Sequence, residues 1–432
     1  MEDEIKIPGW VLRGDRVDEL AFANEYLMNH HMVSVNGTFF TPDGRMPDEN
    51  ALRKDIFREL SQYVRGGLAR KVDSIVATLH LACQYPCLDD SITEVQVQNG
   101  TWHLDGSFST FKNIVCNRLP VAYNPDAPRP EKWLRFLDAL LEPGDILTLQ
   151  EYMGYCLLPV TFAQKMLIII GKGGEGKSRI GTVMKDLLGD NMYMGSIAKI
   201  EASPFARADL EHMLLMVDDD LKMEALKQTN YIKSIVTSEL PMDLERKGIQ
   251  SYQGRLYCRF MAFGNGNLRS LYDRSYGFFR RQLILTTKEK PAGRVDDPYL
   301  SIQLRKEREG ILLWCLEGLL RLYYNDFQFT ITPRAQENLN EAIREGNNAV
   351  DFMRSEGYFR FDPLGTITSR ALYCIYRDWC DDNAMTPMAS NSLIAYINQN
   401  QQALGLTYST NIPIGNGRYA RGYKGIRLCP RM

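Results

Sequence analysis

The sequence contains no apolar run that could cross a membrane. Apolar runs such as Met166–Ile170 are far shorter than the roughly 20 residues that a spanning helix needs. The amino terminus, Met1-Glu2-Asp3-Glu4, is acidic and lacks the basic and then apolar pattern of a secretory signal peptide. We therefore expect a cytoplasmic protein with no membrane partner.

The sequence also lacks paired cysteines with metal-ligand spacing. It has nine cysteines but no C-x2-C pair. Cys83 and Cys87 lie near His80, but a structural zinc site needs four ligands and no second pair is evident. An odd number of cysteines without ligand spacing indicates reduced thiols, and we expect these two to be buried apolar side chains on a helix.

A strong net charge is absent as well. The 51 Lys and Arg residues against 53 Asp and Glu leave a net charge of -2, so any contact with nucleic acid must come from local basic patches. One patch is at the end of the chain, where no acidic residue follows Asn383. A turn at Asn416-Gly417 predicts a β-hairpin there, which carries Arg418, Arg421 and Lys424. Helices followed by a basic hairpin suit a winged-helix-like DNA-binding domain, and the alternative is a solvated basic tail.

The length of 432 residues indicates two to four domains. Residues 1–144 mix helical and strand patterns and predict an α+β domain. Its expected elements are the helical stretches Leu52–Leu68, Val72–Cys83 and Trp133–Leu141, the last stopped at Pro143-Gly144, and a hairpin over Val95–Leu104. Residues 331–432 are expected to form a helical connector and the winged-helix-like domain.

Between them, residues 145–330 alternate short apolar strands with helices. The predicted strands are Met166–Ile170, Met213–Val217, Phe260–Phe263 and Gln282–Leu285. Fully apolar strands separated by helices are typical of a buried parallel sheet. The fold class predicted for this segment is therefore α/β, and its ligand site belongs at the carboxyl edge of the sheet.

A phosphate-binding loop follows the first of these strands. The segment from Gly171 to Ser178 fits G-x4-G-K-[ST], with a strand before it and a helical pattern, Arg179–Leu188, after it. Backbone N–H groups of such a loop and the helix amino terminus bind phosphate, while the Lys reaches the β- and γ-phosphates and the Ser binds Mg²⁺. The predicted ATP-binding residues are Gly171, Gly173, Gly174, Glu175, Gly176, Lys177 and Ser178. Glu175 is unusual, because an acid in an anion site is unfavourable unless its side chain turns outward.

The catalytic carboxylates are predicted at the end of the second strand, at Asp218-Asp219-Asp220. Hydrolysis of Mg-ATP needs one carboxylate near the metal and one group that orients the attacking water. We assign Asp218 to the metal and Asp219 to the water, with Asp220 as the alternative base. Asn265, after the third strand, is expected to contact the water or the γ-phosphate, although an Asn beside a Gly also suits an ordinary turn.

Basic residues supply the remaining predicted sites. Arg280-Arg281 precedes the fourth strand, and its guanidinium groups can stabilise a transferring phosphoryl, often in a neighbouring subunit; a surface ion pair is the alternative. Strand-like alternation around Gly248 predicts a hairpin between Leu240 and Tyr257. Its candidate DNA-binding residues are Arg246, Lys247 and Arg255 for phosphates and Tyr252 for base stacking, against an ordinary polar hairpin.

The order of these motifs resembles that of superfamily 3 helicases, which are AAA+ ATPases of viruses, phages and plasmids. The resemblance is closer to the phage/plasmid and poxvirus-type primase–helicase family. It is carried by Lys172–Gly181, Met216–Leu226, Leu244–Tyr252 and Phe263–Leu285, the last including Tyr272-Asp273-Arg274. The resemblance implies a hexameric, Mg²⁺- and ATP-dependent DNA helicase that moves 3′ to 5′ on single-stranded or forked DNA, with a primase or initiator as a further partner, in a bacterial host cytoplasm.

Two departures from that family affect the expectations. Many relatives have Asn at the position of Glu175, and many carry a primase domain ahead of the motor. Here residues 1–144 show no strand with paired carboxylates, so we expect no primer synthesis. Three alternatives remain open: a DNA-binding initiator or loader ATPase that does not unwind, a small-molecule phosphotransferase, and a structural protein with a vestigial fold.

Overall fold

The structure is a computed structural model that describes residues 7–46, 48–88, 91–221, 226, 229–238, 240–266, 276–291, 293, 295–346, 348–383, 385 and 387–429. These residues divide into two units. The first comprises the described residues within 1–223, 229–267 and 280–336, and the second those within 224–228, 268–279 and 337–432. Residues 1–144 therefore belong to the same unit as the segment that carries the phosphate-loop motif.

The first 90 residues build a small helical core with short strands. The elements are β1 Val11–Leu12, β2 Arg16–Val17, α1 Glu19–Asn29, β3 Val33–Val35, β4 Thr38–Thr41, β5 Gly44–Arg45, α2 Asn50–Leu60 and α3 Leu68–Ala82. The two predicted helices are confirmed with a break between Leu60 and Leu68. The expectation that Cys83 and Cys87 are buried on a helix is wrong, because α3 ends before Cys83, which is half-buried, and Cys87 lies exposed beyond it.

The next stretch joins the core of the central sheet. It contains β6 Glu94–Val97, β7 Gly100–His103, β8 Phe108–Ser109, α4 Glu131–Leu140 and α5 Pro143–Tyr155, so the hairpin and the helix at Trp133 are confirmed. The predicted end of that helix before Pro143 is confirmed, and Pro143 begins the next helix, α5, because a proline at the first helical turn needs no N–H donor. Val95, Trp133 and Tyr152 pack in one apolar cluster with Ile169 of the central sheet.

The central sheet has five parallel strands in the order β10-β11-β14-β9-β15. From Met166 the elements are β9 Met166–Ile170, α6 Ser178–Leu188, a 3-10 turn Gly189–Asn191, β10 Met192–Met194, α7 Ile197–Ala202, α8 Pro204–Ala208, β11 Leu215–Leu221, α9 Asn230–Val236, β12 Met242–Arg246, β13 Ile249–Gly254, β14 Arg259–Gly264, α10 Tyr276–Phe279, β15 Gln282–Thr286, α11 Leu300–Lys306, α12 Arg308–Tyr324 and α13 Pro333–Gly346. The predicted α/β core with a parallel sheet is confirmed.

Most side chains of the inner strands are buried. Leu167, Ile168 and Ile169 of β9 have no exposed surface, as expected for a parallel strand covered on both faces. β11 is longer than predicted and continues through the three aspartates to Leu221. β12 and β13 form the predicted antiparallel hairpin apart from this sheet, with its turn at Lys247-Gly248.

The second unit has its own core. It contains α14 Ala349–Arg354, β16 Phe359–Thr368, α15 Ser369–Asp382, α16 Ser390–Gln399, α17 Gln401–Leu404, β17 Thr407–Gly415 and β18 Arg418–Leu428. The strands form an antiparallel sheet in the order β16-β18-β17. Leu393, Ile397 and Tyr423 are fully buried in this core, so the end of the chain is a folded unit with the predicted hairpin and not a solvated tail.

Candidate functional site

A glycine-rich loop connects β9 to α6 at the carboxyl edge of the central sheet. Gly173, Gly174 and Gly176 have φ angles of 106°, 79° and 104°, a region that side chains other than glycine rarely adopt. The loop can therefore curl back so that Ser178 begins α6. This is the strand–loop–helix geometry in which backbone N–H groups bind phosphate.

Glu175 does not turn outward, so that expectation is wrong. Its carboxylate accepts a hydrogen bond from the Gly173 N–H at 2.8 Å and one from the Lys177 ammonium at 2.9 Å. The two side chains are 4% and 9% exposed. Burial acts to raise the pKa of Glu175, but the hydrogen bond and the charge of Lys177 outweigh it and hold that pKa below its ordinary value. The acid is stable here because it supplies the acceptor that both donors need.

A cavity of about 670 Å³ lies beside the loop. Its lining brings together four predicted groups: Lys177, Ser178, Asp219 and Asn265. Asp220, the alternative base, also lines it. They meet because β9, β11 and β14 are adjacent and parallel, so the residues after each strand lie at the same edge of the sheet.

Asp218, assigned to the metal from the sequence, has another role in the structure. It is 4% exposed, and its Oδ2 accepts a hydrogen bond from the Ile197 N–H at 2.8 Å, where α7 begins. A longer bond of 3.3 Å joins the Asp220 N–H to its Oδ1. Burial, with a smaller contribution from the neighbouring aspartates, raises the pKa of Asp218. Of the three consecutive aspartates, Asp219 and Asp220 line the cavity and Asp218 does not.

Sequence reasoning missed several residues that line the same cavity. They are Arg179, Leu221, Phe263, Asp296, Asp297 and Leu300. Arg179 donates to the Ser301 hydroxyl at 2.5 Å. Asp297 accepts hydrogen bonds from the Tyr299 N–H and the Gln303 amide, each at 2.8 Å. Arg179 lies at the start of α6, Leu221 at the end of β11 and Phe263 near the end of β14, whereas Asp296, Asp297 and Leu300 reach the cavity because α11 lies beside α6.

Arg280 and Arg281 lie at the opposite edge of the sheet from the cavity. They precede β15, which runs parallel to β9, and the Arg281 carbonyl accepts a hydrogen bond from the N–H of Met166 at the start of β9. A strand of this length spans about 16 Å at 3.3 Å per residue. The backbone of both residues therefore lies at the far end of β15 from the glycine-rich loop.

Two of the predicted DNA-binding side chains on the hairpin are engaged within the subunit. The buried carboxylate of Glu211 accepts hydrogen bonds from the Arg246 guanidinium at 2.7 Å and the Tyr252 hydroxyl at 2.6 Å. A buried acid needs such donors, so both predicted DNA contacts also hold Glu211, while the Arg246 side chain keeps 37% of its surface exposed. Lys247 and Arg255 are exposed. In the second unit, Arg418, Arg421 and Lys424 are exposed on β18.

The described residues contain no group of three or more His, Cys, Asp or Glu side chains positioned to hold a metal ion. Mg²⁺ is usually bound through one or two carboxylates with phosphate oxygens and water as the other ligands. The exposed hydroxyl of Ser178 and the carboxylate of Asp219, both at the cavity, fit that requirement. Among helices in the described part of the chain, none has the length and apolar composition of a membrane span.

Comparison with known proteins finds a family model that matches part of the chain and solved structures with a similar fold. A family of unknown function, DUF5906, matches residues 169–281, which contain the glycine-rich loop, the three aspartates and the hairpin. A comparison with curated proteins finds no match. Two solved structures of the NrS-1 C-terminal region are similar, at 10% and 11% identity with TM-scores of 0.52 and 0.53. Each similarity covers 95% of this chain and 100% of the other. At this identity, the likeness shows that the chain shares an overall fold with the NrS-1 C-terminal region.

Proposed function

We propose that this protein is an ATP hydrolase that drives the movement of a AAA+ ring along DNA during replication of a phage or related mobile element. The observation that supports ATP hydrolysis is the cavity at the carboxyl edge of the sheet. It combines an ammonium at Lys177, a hydroxyl at Ser178, exposed carboxylates at Asp219 and Asp220, and an amide at Asn265. Those are the groups that phosphoryl transfer from Mg-ATP requires.

Each of these residues has a distinct task in the proposed reaction. The loop N–H groups and Lys177 bind the β- and γ-phosphates. They neutralise the charge that develops as the bond between the γ-phosphorus and the leaving ADP breaks. Ser178 and Asp219 would hold Mg²⁺, which would offset the negative charge of the phosphates when it is bound. Asp220 orients the attacking water and accepts its proton, and Asn265 fixes the water or the γ-phosphate.

The excess of acid around the cavity supports a strict need for the metal. Carboxylates of Glu175, Asp219, Asp220, Asp296 and Asp297 face it, whereas its cations are Lys177 and Arg179. A polyphosphate that enters without a divalent cation meets a net negative surface. We therefore expect no measurable turnover in the presence of excess chelator.

The proposal of a homo-oligomeric ring, a hexamer in the resembling family, rests on the position of Arg280-Arg281. A pair at the start of β15, one strand length of about 16 Å from the sheet edge that carries the glycine-rich loop, is better placed to stabilise a transferring phosphoryl in a neighbouring subunit than in its own. Lys247 and Arg255 on the hairpin, and the basic strand β18, are the proposed contacts to DNA phosphates. The second unit's order from α14 to β18, which is helix–strand–helix–helix–helix–strand–strand, suits a winged helix, and a primase or initiator is a proposed further partner.

The test is an ATPase assay on the full chain, with and without single-stranded DNA. Lys177→Ala and Asp219→Asn should each lower turnover at least about 100-fold, and a rate within threefold of the unmodified protein would overturn the proposed site. A strand-displacement assay on forked DNA then separates a helicase from a loader. DNA-stimulated hydrolysis without displacement would favour an initiator or loader ATPase.

A further inference from the structure

The glycine-rich loop carries its own anion. The Glu175 carboxylate bridges the Gly173 N–H and the Lys177 ammonium, at 2.8 and 2.9 Å. These are two of the donors that the loop would offer to phosphate oxygens. The carboxylate also approaches Gly171, since a Cβ built there would lie 2.9 Å from Glu175 Oε2 and 2.8 Å from Lys177 Nζ.

The burial of this ion pair distinguishes it from an ordinary surface pair. Lys172, in the same loop, pairs with Glu289 at 2.5 Å, but those side chains are 83% and 80% exposed. The side chains of Glu175 and Lys177 are 4% and 9% exposed. A buried acid between two donors is a strong local interaction, whereas an exposed pair contributes little. Glu175 therefore occupies donors inside the loop, whereas Glu289, which lies outside the loop, pairs only with the exposed Lys172.

The contacts of Glu175 with Gly173 and Lys177 can also break and re-form locally. Glu175 reaches donors only two residues away on either side, so its side chain can leave without unfolding any helix or strand. It lies between Gly174 and Gly176, whose positive φ angles mark a segment free of the steric limits of other residues. The exchange of one anion for another can thus be confined to the loop.

We propose that Glu175 is a resident anion that competes with the phosphates of the nucleotide for Gly173 and Lys177, and so lowers nucleotide affinity and speeds product release. This inference deepens the proposed function and rests on it. Gly173 has a single N–H, so a phosphate oxygen and the carboxylate compete for it, and two anions held close together beside Lys177 repel. Nucleotide binding therefore expels Glu175, and its return displaces the product diphosphate.

A competing Glu175 and a purely structural Glu175 would have opposite effects on nucleotide affinity when the residue is removed. If Glu175 only shaped the loop, its removal would weaken nucleotide binding. If it competes, Glu175→Ala should bind nucleotide most tightly, Glu175→Gln should be intermediate because a neutral amide competes less for Lys177, and the unmodified chain should bind most weakly. Glu289→Gln is the matched control, since it removes a negative charge beside the same loop without vacating the two donors.

The experiment measures equilibrium affinity and dissociation of a fluorescent methylanthraniloyl-ADP with Mg²⁺ on the full chain. For Glu175→Ala we expect affinity to rise, and ADP dissociation to slow, by on the order of tenfold, the value of about one charge-assisted hydrogen bond. Glu289→Gln should match the unmodified chain. Equal or weaker binding by both Glu175 variants would overturn the inference.

A second probe separates this outcome from failure of the proposed function. Mg-pyrophosphate, measured by calorimetry, tests the loop without a nucleoside. If the chain binds no adenine nucleotide but Glu175→Ala binds pyrophosphate more tightly than the unmodified chain does, the ATPase proposal fails and the role of Glu175 stands. If ADP binds to the unmodified chain and the Glu175 variants change the affinity for neither ADP nor pyrophosphate, the proposed role of Glu175 fails and the ATPase proposal stands.

Discussion

Asp218 and Asp219 are adjacent, yet the structure predicts opposite consequences of changing them. Asp218→Ala removes the acceptor of the Ile197 N–H at the start of α7 and the weaker acceptor of the Asp220 N–H. A buried donor left without a partner costs about 1–3 kcal/mol. Loss of the second bond, at 3.3 Å, adds little to this cost. Removing the carboxylate also removes the cost of burying its charge, the same burial that raises the pKa of Asp218. We expect the free energy of unfolding to fall by about 1–3 kcal/mol.

The assay compares thermal unfolding midpoints and ATPase turnover for three variants of the full chain. Asp218→Ala should unfold at a lower temperature, whereas Asp218→Asn should unfold near the unmodified chain, because its amide oxygen still accepts from Ile197. Asp219→Asn should keep the midpoint, since Asp219 is exposed, and lose turnover. If Asp218→Asn unfolds normally but loses turnover while Asp219→Asn remains active, Asp218 is the metal ligand and the helix-capping argument is refuted.

Three further predictions concern the loop, the ring and the DNA contacts. Gly171→Ala should abolish nucleotide binding in the ADP assay, because its Cβ would lie 2.4 Å from the Thr287 hydroxyl; normal affinity would contradict the loop geometry. Arg280→Ala or Arg281→Ala subunits mixed with unmodified ones should depress ATPase activity more than dilution does, and proportional loss would exclude an intersubunit role. Lys247→Ala should abolish DNA stimulation while basal ATPase survives. The β18 variants Arg418→Gln, Arg421→Gln and Lys424→Gln should weaken DNA binding in a salt-dependent manner but keep DNA stimulation of the ATPase. If these variants abolish the stimulation and Lys247→Ala does not, β18 is the main DNA-binding site.

Substitution is preferable to truncation for testing the basic strand. A chain ending at Asp382 would lose Leu393, Ile397 and Tyr423, which are fully buried in the core of the second unit. Removal of such side chains costs several kcal/mol each, so a truncated chain would report the unfolding of that unit and not the loss of its charge.

Local patterns were sufficient for the elements around the site. The apolar run of β9 followed by glycines and Lys177-Ser178 predicted a strand, a loop and a helix, and all three are present. Alternation around Gly248 and around Asn416-Gly417 predicted two hairpins, and both form. These features depend on residues close together in the chain, where side-chain period and turn chemistry dominate. The segment Tyr272-Asp273-Arg274, which contributes to the resemblance, lies outside the described residues.

The choice among the three aspartates required the sheet. The sequence predicted that carboxylates follow a buried strand, but β11 continues through them and its register against β14 shifts between Asp218 and Leu221. That irregularity leaves Asp218 buried against α7 and exposes Asp219 and Asp220 at the cavity. A bulge arises from pairing with a strand about 40 residues away, so the aspartates themselves carry no sign of it.

The sequence by itself determined four of the five strands of the central sheet, the phosphate-loop motif and the parallel α/β class, because each follows from local spacing and burial pattern; it did not predict β10. Only the tertiary structure decided which charges are available to a ligand. Glu211 binds Arg246 and Tyr252 from 35 and 41 residues away, and Glu175 turns into the loop toward Lys177. The physical reason is that a buried carboxylate takes whichever donors the fold brings within about 3 Å, and that proximity is a property of the packed chain.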